Sequence, residues 1–223
     1  MARKVFFSFH YDDVSGFKVN NVRNSWITHD PKKRDTFSDS SIWEEARSKG
    51  PKAIKELIDN VGLKGSSVTA VLIGQGTYSR RWVRYEIVKS FVRGNGIVGL
   101  HLNRLKGKEQ KISAKGVNPF SQIRIHIDKE GKKISFQELK NSQWIDYKDF
   151  PSVSNKKSNT RFFKSNFFGN NRYYGRYIKL TEFFPTFCWV KEDGYNNFPK
   201  WIEQSFTASH KNIDNSNSWS LFN

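Results

Sequence analysis

Short apolar segments alternate with amphipathic segments over the first hundred residues of the chain. Lys4–Phe9 and Ser67–Gly74 are largely apolar runs of strand length, and Ile97–Leu102 is another. Runs of this kind are typical of strands that are buried on both faces of a parallel sheet. Between them, apolar residues recur every three or four positions, which is the period of a helix with one buried face. The pattern therefore predicts an α/β fold with a doubly wound parallel sheet.

The first and last helices of this region have clear boundaries. One runs to about Trp26, with Asp12 and Asp13 as candidate N-terminal caps and Val19 and Val22 on its apolar face. Another runs from about Arg80 to Arg93 and ends at Gly94-Asn95-Gly96, because glycine favours the left-handed conformation that terminates helices.

The segment between these two helices is more irregular. Residues 28–40 predict a loop with a short edge strand at Asp35–Ser38. Ser41-x-x-Glu44 has the form of a capping box for a short helix, and Pro51 suits the first turn of the next one. The apolar stripe of that second helix is Ile54, Leu57, Ile58 and Val61.

The pattern weakens after residue 103. Ile123–Ile127 predicts a strand, Asp128–Lys132 a hairpin turn and Trp144–Tyr147 a short last strand. Phe183–Val190 is apolar, and Pro199 is expected to open a helix that ends near Phe206.

Composition adds a strong positive charge to this picture. The 223 residues have a formal net charge of +17, which favours an anionic partner. Residues 151–180 contain seven Lys or Arg and no acid, with Phe and Tyr pairs interleaved. Basic and aromatic residues together are typical of single-strand nucleic-acid binding, although paired aromatics also pack in cores. Both interpretations stay open.

Several classes of site and location are disfavoured. The single cysteine, Cys188, rules out an intramolecular disulfide, and the five histidines have no metal-ligand spacing, so no metal site is predicted. The N-terminus lacks the pattern of a signal peptide, and no run is long enough to span a membrane. A soluble cytoplasmic protein with no membrane contact is expected.

Chemistry is expected where the first and third strands end, since open parallel sheets bind ligands at the carboxyl ends of their strands. The first strand leads into His10-Tyr11, and the third leads into Gly74 and the helix that carries Trp82 and Glu86. Trp82 and Glu86 are four residues apart and share a helix stripe. A carboxylate beside an indole, with three arginines nearby, fits a nucleotide pocket. These arginines are Arg80, Arg81 and Arg84.

A simpler interpretation is that Trp82 is a core residue and Glu86 pairs with Arg84 or Lys89. Other nucleotide and phosphate folds fit less well. A phospho-receiver domain needs an aspartate where the third strand ends, but the chain has Gly74-Gln75-Gly76 there. The same segment lacks the third glycine of a dinucleotide-binding fingerprint.

Two segments resemble a known family. Val5–Asp13, with Val22–Trp26, resembles the opening of TIR-like domains in bacterial Thoeris antiviral systems, the ThsB family. Val71–Gly74 and Thr77–Ile87 resemble the same family and echo the Ser-x-Trp-x-x-x-Glu pattern of TIR domains, although Val83 stands where many have cysteine. The resemblance covers roughly residues 3–103.

The resemblance implies a flavodoxin-like, TIR-like doubly wound parallel sheet with a C-terminal extension. We place the TIR-like domain at residues 1–150, of which 1–103 have the clearest pattern. Residues 151–223 form a basic, aromatic-rich extension packed on it.

The resemblance also implies an activity: cleavage of the nicotinamide–ribose bond of NAD, followed by formation of a cyclic or conjugated ADP-ribose signal. NAD is then a substrate, no cofactor is needed, and a separate effector reads the signal. Homo-oligomerisation on activation is a further expectation. The alternatives are a nucleic-acid-binding module and a TIR-like adaptor without activity.

The implied site combines one catalytic residue with six substrate-binding residues. Glu86 is the catalytic carboxylate, and Phe9, His10 and Tyr11 form the opposite wall of the pocket. Trp82 stacks on a ring of the substrate, and Gly74 and Arg84 complete the set.

Overall fold

The computed structural model describes residues 3–29, 37–39, 48–154 and 173–210. Its strands are β1 (Val5–Ser8), β2 (Phe37–Asp39), β3 (Val68–Ile73), β4 (Gly96–His101), β5 (Ile123–Ile127), β6 (Lys133–Lys140), β7 (Gln143–Asp146), β8 (Ser152–Ser154), β9 (Tyr177–Lys179) and β10 (Thr186–Cys188). Its α-helices are α1 (Gly16–His29), α2 (Gly50–Leu57), α3 (Arg81–Arg93) and α4 (Gly194–His210).

Five parallel strands form the first sheet, in the order β10-β4-β3-β1-β2. This order is the one expected of a flavodoxin-like doubly wound fold, with the change of direction between β1 and β3. The predicted α/β class is therefore confirmed. β1, β3, β4 and α3 lie within one or two residues of their predicted bounds.

The parallel sheet buries a different set of side chains on each face. Val5 and Phe7 of β1 pack with α1 and α4, where Val19, Val22, Trp26, Phe198 and Ile202 are buried. Phe6 points the other way, into a cluster with Ile54, Ile58, Leu63 and Tyr85. This alternation is the two-residue period of a strand, and it leaves α2 and α3 on the face opposite α1 and α4.

A second, antiparallel sheet packs on the far side of α3. Its strands are ordered β7-β6-β5-β9, and β8 pairs with β6. Inward-facing isoleucines of β5 and Phe136 of β6 join Val83, Ile87 and Phe91 of α3 in one core. Helix α3 is thus held between two sheets, which explains why most of its residues are buried.

The capping prediction for α1 is wrong. The helix begins at Gly16, and the Asp13 carboxylate instead accepts hydrogen bonds from the Gly76 backbone N–H and the Arg80 side chain. Val61 also departs from the predicted apolar stripe. A π-helical turn, Ile58–Gly62, follows α2 and rotates Val61 outward, so that its side chain is 48% exposed.

The C-terminal part of the chain contributes to the parallel sheet as well as packing on it. β10 pairs with β4, and α4 covers the sheet from Gly194 onward, whereas the sequence predicted a helix opening at Pro199. Pro199 therefore lies inside α4. It cannot donate a hydrogen bond to the Tyr195 carbonyl, and the buried Ser25 hydroxyl of α1 donates to that carbonyl instead, at 2.8 Å.

Some predicted features lie outside the described residues: the Ser41–Glu44 capping box, the aromatic pairs at 162–163 and 167–168, and the last dozen residues. Tyr173 and Tyr174 are described, and both pack against the core between the sheets. None of the described helices is both long and apolar enough to cross a membrane.

Candidate functional site

A cleft of about 460 Å³ opens at the carboxyl ends of β1 and β3. This is the point where the strand order changes direction, which is the usual ligand position in such sheets. The lining residues come from the loops after β1 and β3 and from a later loop: Asp12, Asp13, Gln75, Gly76, Tyr78, Ser79 and Ser113. The sequence predicted this edge of the sheet.

Asp13 ties the two main loops of the cleft together. Its Oδ1 accepts from the Gly76 N–H at 3.1 Å, and its Oδ2 accepts from Arg80 Nε at 2.6 Å. A Cβ at Gly74 would lie 2.0 Å from the Asp13 carbonyl oxygen, so only glycine lets the loops approach this closely. Gly74 is therefore a packing position in this structure, and its predicted contact with substrate stays a prediction.

Glu86 lies beneath the end of β1, on the face that carries α3. Its side chain is fully buried, and its Oε2 accepts a hydrogen bond of 2.6 Å from the Ser8 hydroxyl. Sequence reasoning did not single out Ser8. The available signal was a hydroxyl side chain within the apolar run of β1. Ser8 is two residues after Phe6, so both side chains point to the same face of the sheet.

Trp82 packs away from the cleft. It joins the Phe6 cluster beside α2, with its ring 6.3 Å from that of Tyr85 in an edge-to-face arrangement. The Arg81 guanidinium lies over the indole ring, 4.6 Å from its centroid. Trp82 and Glu86 share the helix stripe that the sequence predicted, but Trp82 serves the core in this structure.

The three residues after β1 do not form one wall. Phe9 is buried in the core beside α1, on the opposite face of the sheet from Glu86. Tyr11 is 37% exposed and packs edge-to-face on Phe9 at 5.0 Å. His10 is buried, and its Nδ1 accepts from the Asp12 N–H at 3.2 Å.

Each of the three arginines near the start of α3 is paired with a carboxylate. Arg80 binds Asp13 and, at 3.2 Å, Asp12, whereas the Arg81 guanidinium binds both oxygens of Asp149 at 2.7 and 2.8 Å. The hydrogen bonds from Arg81 lower the pKa of Asp149, against the effect of burial. In this conformation carboxylates pair with all three arginines, and their predicted role in a nucleotide pocket stays a prediction.

Arg84 connects α3 to the antiparallel sheet. It donates to the Tyr78 carbonyl at 2.8 Å and pairs with Glu138 of β6. Lys89 pairs with Asp59 at 2.7 Å. The two cations that the simpler interpretation offered to Glu86 are thus bound to other carboxylates.

His101, at the end of β4, is buried, but its hydrogen bonding is incomplete. Its Nδ1 lacks a hydrogen-bond partner within the described part of the chain. Burial, assisted by the positive charge of Lys115, lowers its pKa to about 4, so the ring is neutral at pH 7. In the described ranges, no group of three His, Cys, Asp or Glu side chains is arranged to hold a metal ion.

Comparison with known proteins agrees with this geometry. Residues 6–107 match the model of the Thoeris protein ThsB, TIR-like domain. The chain is 40% identical over 202 residues to a Bacillus cereus (strain MSX-D12) protein named "Putative cyclic ADP-D-ribose synthase ThsB1". The match covers 91% of this chain and 100% of that protein. The chain therefore belongs to the ThsB family of TIR-like Thoeris proteins.

Proposed function

We propose that this protein is an NAD-consuming enzyme of antiphage defence. It cleaves the nicotinamide–ribose bond and converts the ADP-ribosyl group into a cyclic or conjugated signal. The observation that supports this most strongly is a buried carboxylate, Glu86, held by Ser8 at the switch point of a TIR-like sheet. The name of the Bacillus cereus relative, a cyclic ADP-D-ribose synthase, supports the same substrate.

In the proposed reaction, nicotinamide departs with the electron pair of the bond that it formed with ribose. The ribose then acquires oxocarbenium character, as in the cleavage of other glycosidic bonds. Glu86 stabilises this positive charge, because a preorganised carboxylate in a dry site interacts strongly with developing charge. A nucleophile on the same ADP-ribosyl group, or on a separate acceptor, forms the new bond at ribose and passes its proton to Glu86.

The buried position of Glu86 matters for regulation. NAD reaches this carboxylate only if the loops around the cleft or the start of α3 move, so we propose that the described conformation is a resting state. Activation then opens the site and is accompanied by homo-oligomerisation. A separate effector reads the nucleotide product in the cytoplasm, where NAD is available.

The test is incubation of the protein with NAD, with mass spectrometry of nicotinamide and of ADP-ribose derivatives. From activated wild-type protein we expect both products, and from Glu86→Gln under the same conditions neither. The matched control is Glu56→Gln, which removes an exposed carboxylate of α2 and leaves turnover unchanged. Equal turnover by Glu86→Gln and the wild type would refute the assignment of Glu86.

Because a resting enzyme does not turn over NAD, the experiment needs a second arm. The same incubation is repeated with lysate from phage-infected cells, and wild-type turnover that appears only there supports activation. If NAD stays intact in both arms, the enzymatic proposal is wrong and the adaptor alternative takes its place.

A further inference from the structure

The outer face of the antiparallel sheet has an unusual composition. Side chains that point away from α3 alternate with the buried isoleucines along β5, and their cross-strand neighbours share the same face. They are Arg124, His126, Lys133, Ser135, Gln137, Leu139, Trp144, Asp146, Ser152, Ser154, Tyr177 and Lys179. Leu139 is the one aliphatic side chain at these positions of the described strands.

Planar groups are stacked across this face. The Arg124 guanidinium lies 4.1 Å from the ring centroid of Tyr177 and 4.5 Å from that of Trp144. The His126 ring lies 4.6 Å from Tyr177 on the neighbouring strand. Arg124 is held in place by Gln137, whose Oε1 accepts two hydrogen bonds from it at 2.7 and 2.9 Å. The arrangement is preorganised before any ligand arrives.

The stacked groups lie beside exposed and positively charged side chains. Tyr177 is 53% exposed, and Lys179, the cross-strand partner of Arg124, is exposed as well. Asp146 is the one acid on the face within the described strands, and it accepts from Gln137 at its edge. A protein surface with a net charge of +17 attracts polyanions in general.

We propose that this face binds single-stranded nucleic acid. Aromatic rings stack with bases of any sequence, and lysine and arginine beside them contact the backbone. Four strands spaced at roughly 4.8 Å give room for about two or three bases, as on other four-stranded sheets that bind RNA. Tyr177 and Trp144 provide the stacking surfaces, and Lys179 contacts phosphate.

The chemistry of the face selects this partner over two others. A protein interface also favours aromatic rings and arginine, but it is depleted of lysine and serine, whereas this face carries Lys133, Lys179 and three serines. An anionic membrane surface attracts basic side chains through charge alone. Binding to it does not require a guanidinium fixed beside two aromatic rings. The face is also separated from Glu86 by the core around α3, so the inference is independent of NAD chemistry.

The test is fluorescence anisotropy of the full chain with labelled single-stranded DNA and RNA of about 16 nucleotides. Binding is measured between about 50 and 200 mM salt. We expect Tyr177→Ala to weaken affinity roughly 5- to 150-fold, the range for loss of one stacked base. Lys179→Gln is expected to reduce the slope of log affinity against log salt by about 0.7, the share of one phosphate contact.

Two variants serve as matched controls. Tyr195→Ala removes another exposed tyrosine, on α4, and Lys108→Gln removes an exposed lysine from a loop outside the sheet. Both are expected to retain wild-type binding, and thermal unfolding verifies that all four variants are folded.

Three results would overturn the proposal. The first is no binding of either oligonucleotide at the lowest salt. The second is an equal loss for the control and face variants, which would indicate diffuse charge attraction. The third is competition by inorganic polyphosphate as strong as that by an oligonucleotide of equal charge, because polyphosphate has no bases to stack.

Discussion

The clearest prediction concerns Asp13, whose carboxylate joins the two loops of the cleft. In Asp13→Asn the volume is kept, but one acceptor becomes an amide donor that faces Arg80. The wild-type carboxylate accepts from Arg80 Nε at 2.6 Å, from an Arg80 terminal nitrogen at 3.1 Å and from Gly76 N–H at 3.1 Å. Its side chain is 6% exposed, so water does not replace these contacts.

The magnitude follows from the exposure of both partners. Removing one member of a fully buried ion pair costs about 3–5 kcal/mol. The Arg80 side chain is 32% exposed, so its charge is partly solvated in the variant, and we expect about 2 kcal/mol. For a chain of this size, that corresponds to a melting temperature lowered by about 4–8 °C.

Asp12→Asn is the matched control. Asp12 also binds Arg80, at 3.2 Å, but its side chain is 66% exposed, so its removal is expected to cost less than about 1 kcal/mol. Urea unfolding of both variants measures the difference. A double-mutant cycle of Asp13→Asn with Arg80→Gln isolates the pair, and we expect a coupling above about 1 kcal/mol. Equal losses from the two aspartates would refute the argument that Asp13 holds the loops together.

Three further predictions test packing and protonation. Gly116→Ala would place a Cβ 1.8 Å from the Gly74 oxygen, so urea unfolding is expected to give a loss above about 3 kcal/mol, whereas Gly107→Ala, with its nearest atom at 3.8 Å, stays near wild type. Phe198→Ala empties a fully buried site, and calorimetry is expected to give a loss of about 3–5 kcal/mol. The His101 pKa, about 4, lies below its ordinary value of 6.5, so the unfolded chain binds the extra proton and wild-type stability falls as pH drops from 6.5 towards 4. Urea unfolding at about pH 5 and pH 7 is expected to give a fall about 2 kcal/mol larger for wild type than for His101→Gln, and equal falls would contradict this.

The parts of the fold that the sequence predicted are those determined by local pattern. β3 is buried at all six positions, and its apolar composition alone indicates a central strand. The end of α3 was predictable for a similar reason. Gly94 adopts the left-handed conformation with φ of 78°, which few other residues adopt without strain.

The remaining parts depend on contacts between distant segments. β10 is three residues long, and only its pairing with β4 makes it a strand of the parallel sheet. Asp13 has the residue type and position of a helix cap, and its actual partners lie 63 and 67 residues away. No local pattern distinguishes a helix cap from a contact with a distant loop, because a carboxylate accepts equally well from either set of donors.

In the candidate site, too, local pattern predicts some residues, whereas other contacts depend on distant segments. The sequence singles out Glu86 by its position after a strand and by family resemblance, and in the structure its side chain is buried beneath the end of β1. The pairing of Arg81 and Arg84 with Asp149 and Glu138 required the antiparallel sheet, which the sequence predicted only in fragments.

The proposed catalytic role of Glu86 is to act on the ribose of NAD. The most direct measurement is the rate of nicotinamide release by activated wild-type protein, by Glu86→Gln and by Glu56→Gln, at equal concentration and with folding verified. We expect wild-type rates for Glu56→Gln and a loss of about 10²-fold or more for Glu86→Gln, the scale for removing a group that stabilises charge in a transition state. Nicotinamide release by Glu86→Gln at the rate of the Glu56→Gln control would contradict a catalytic role for Glu86.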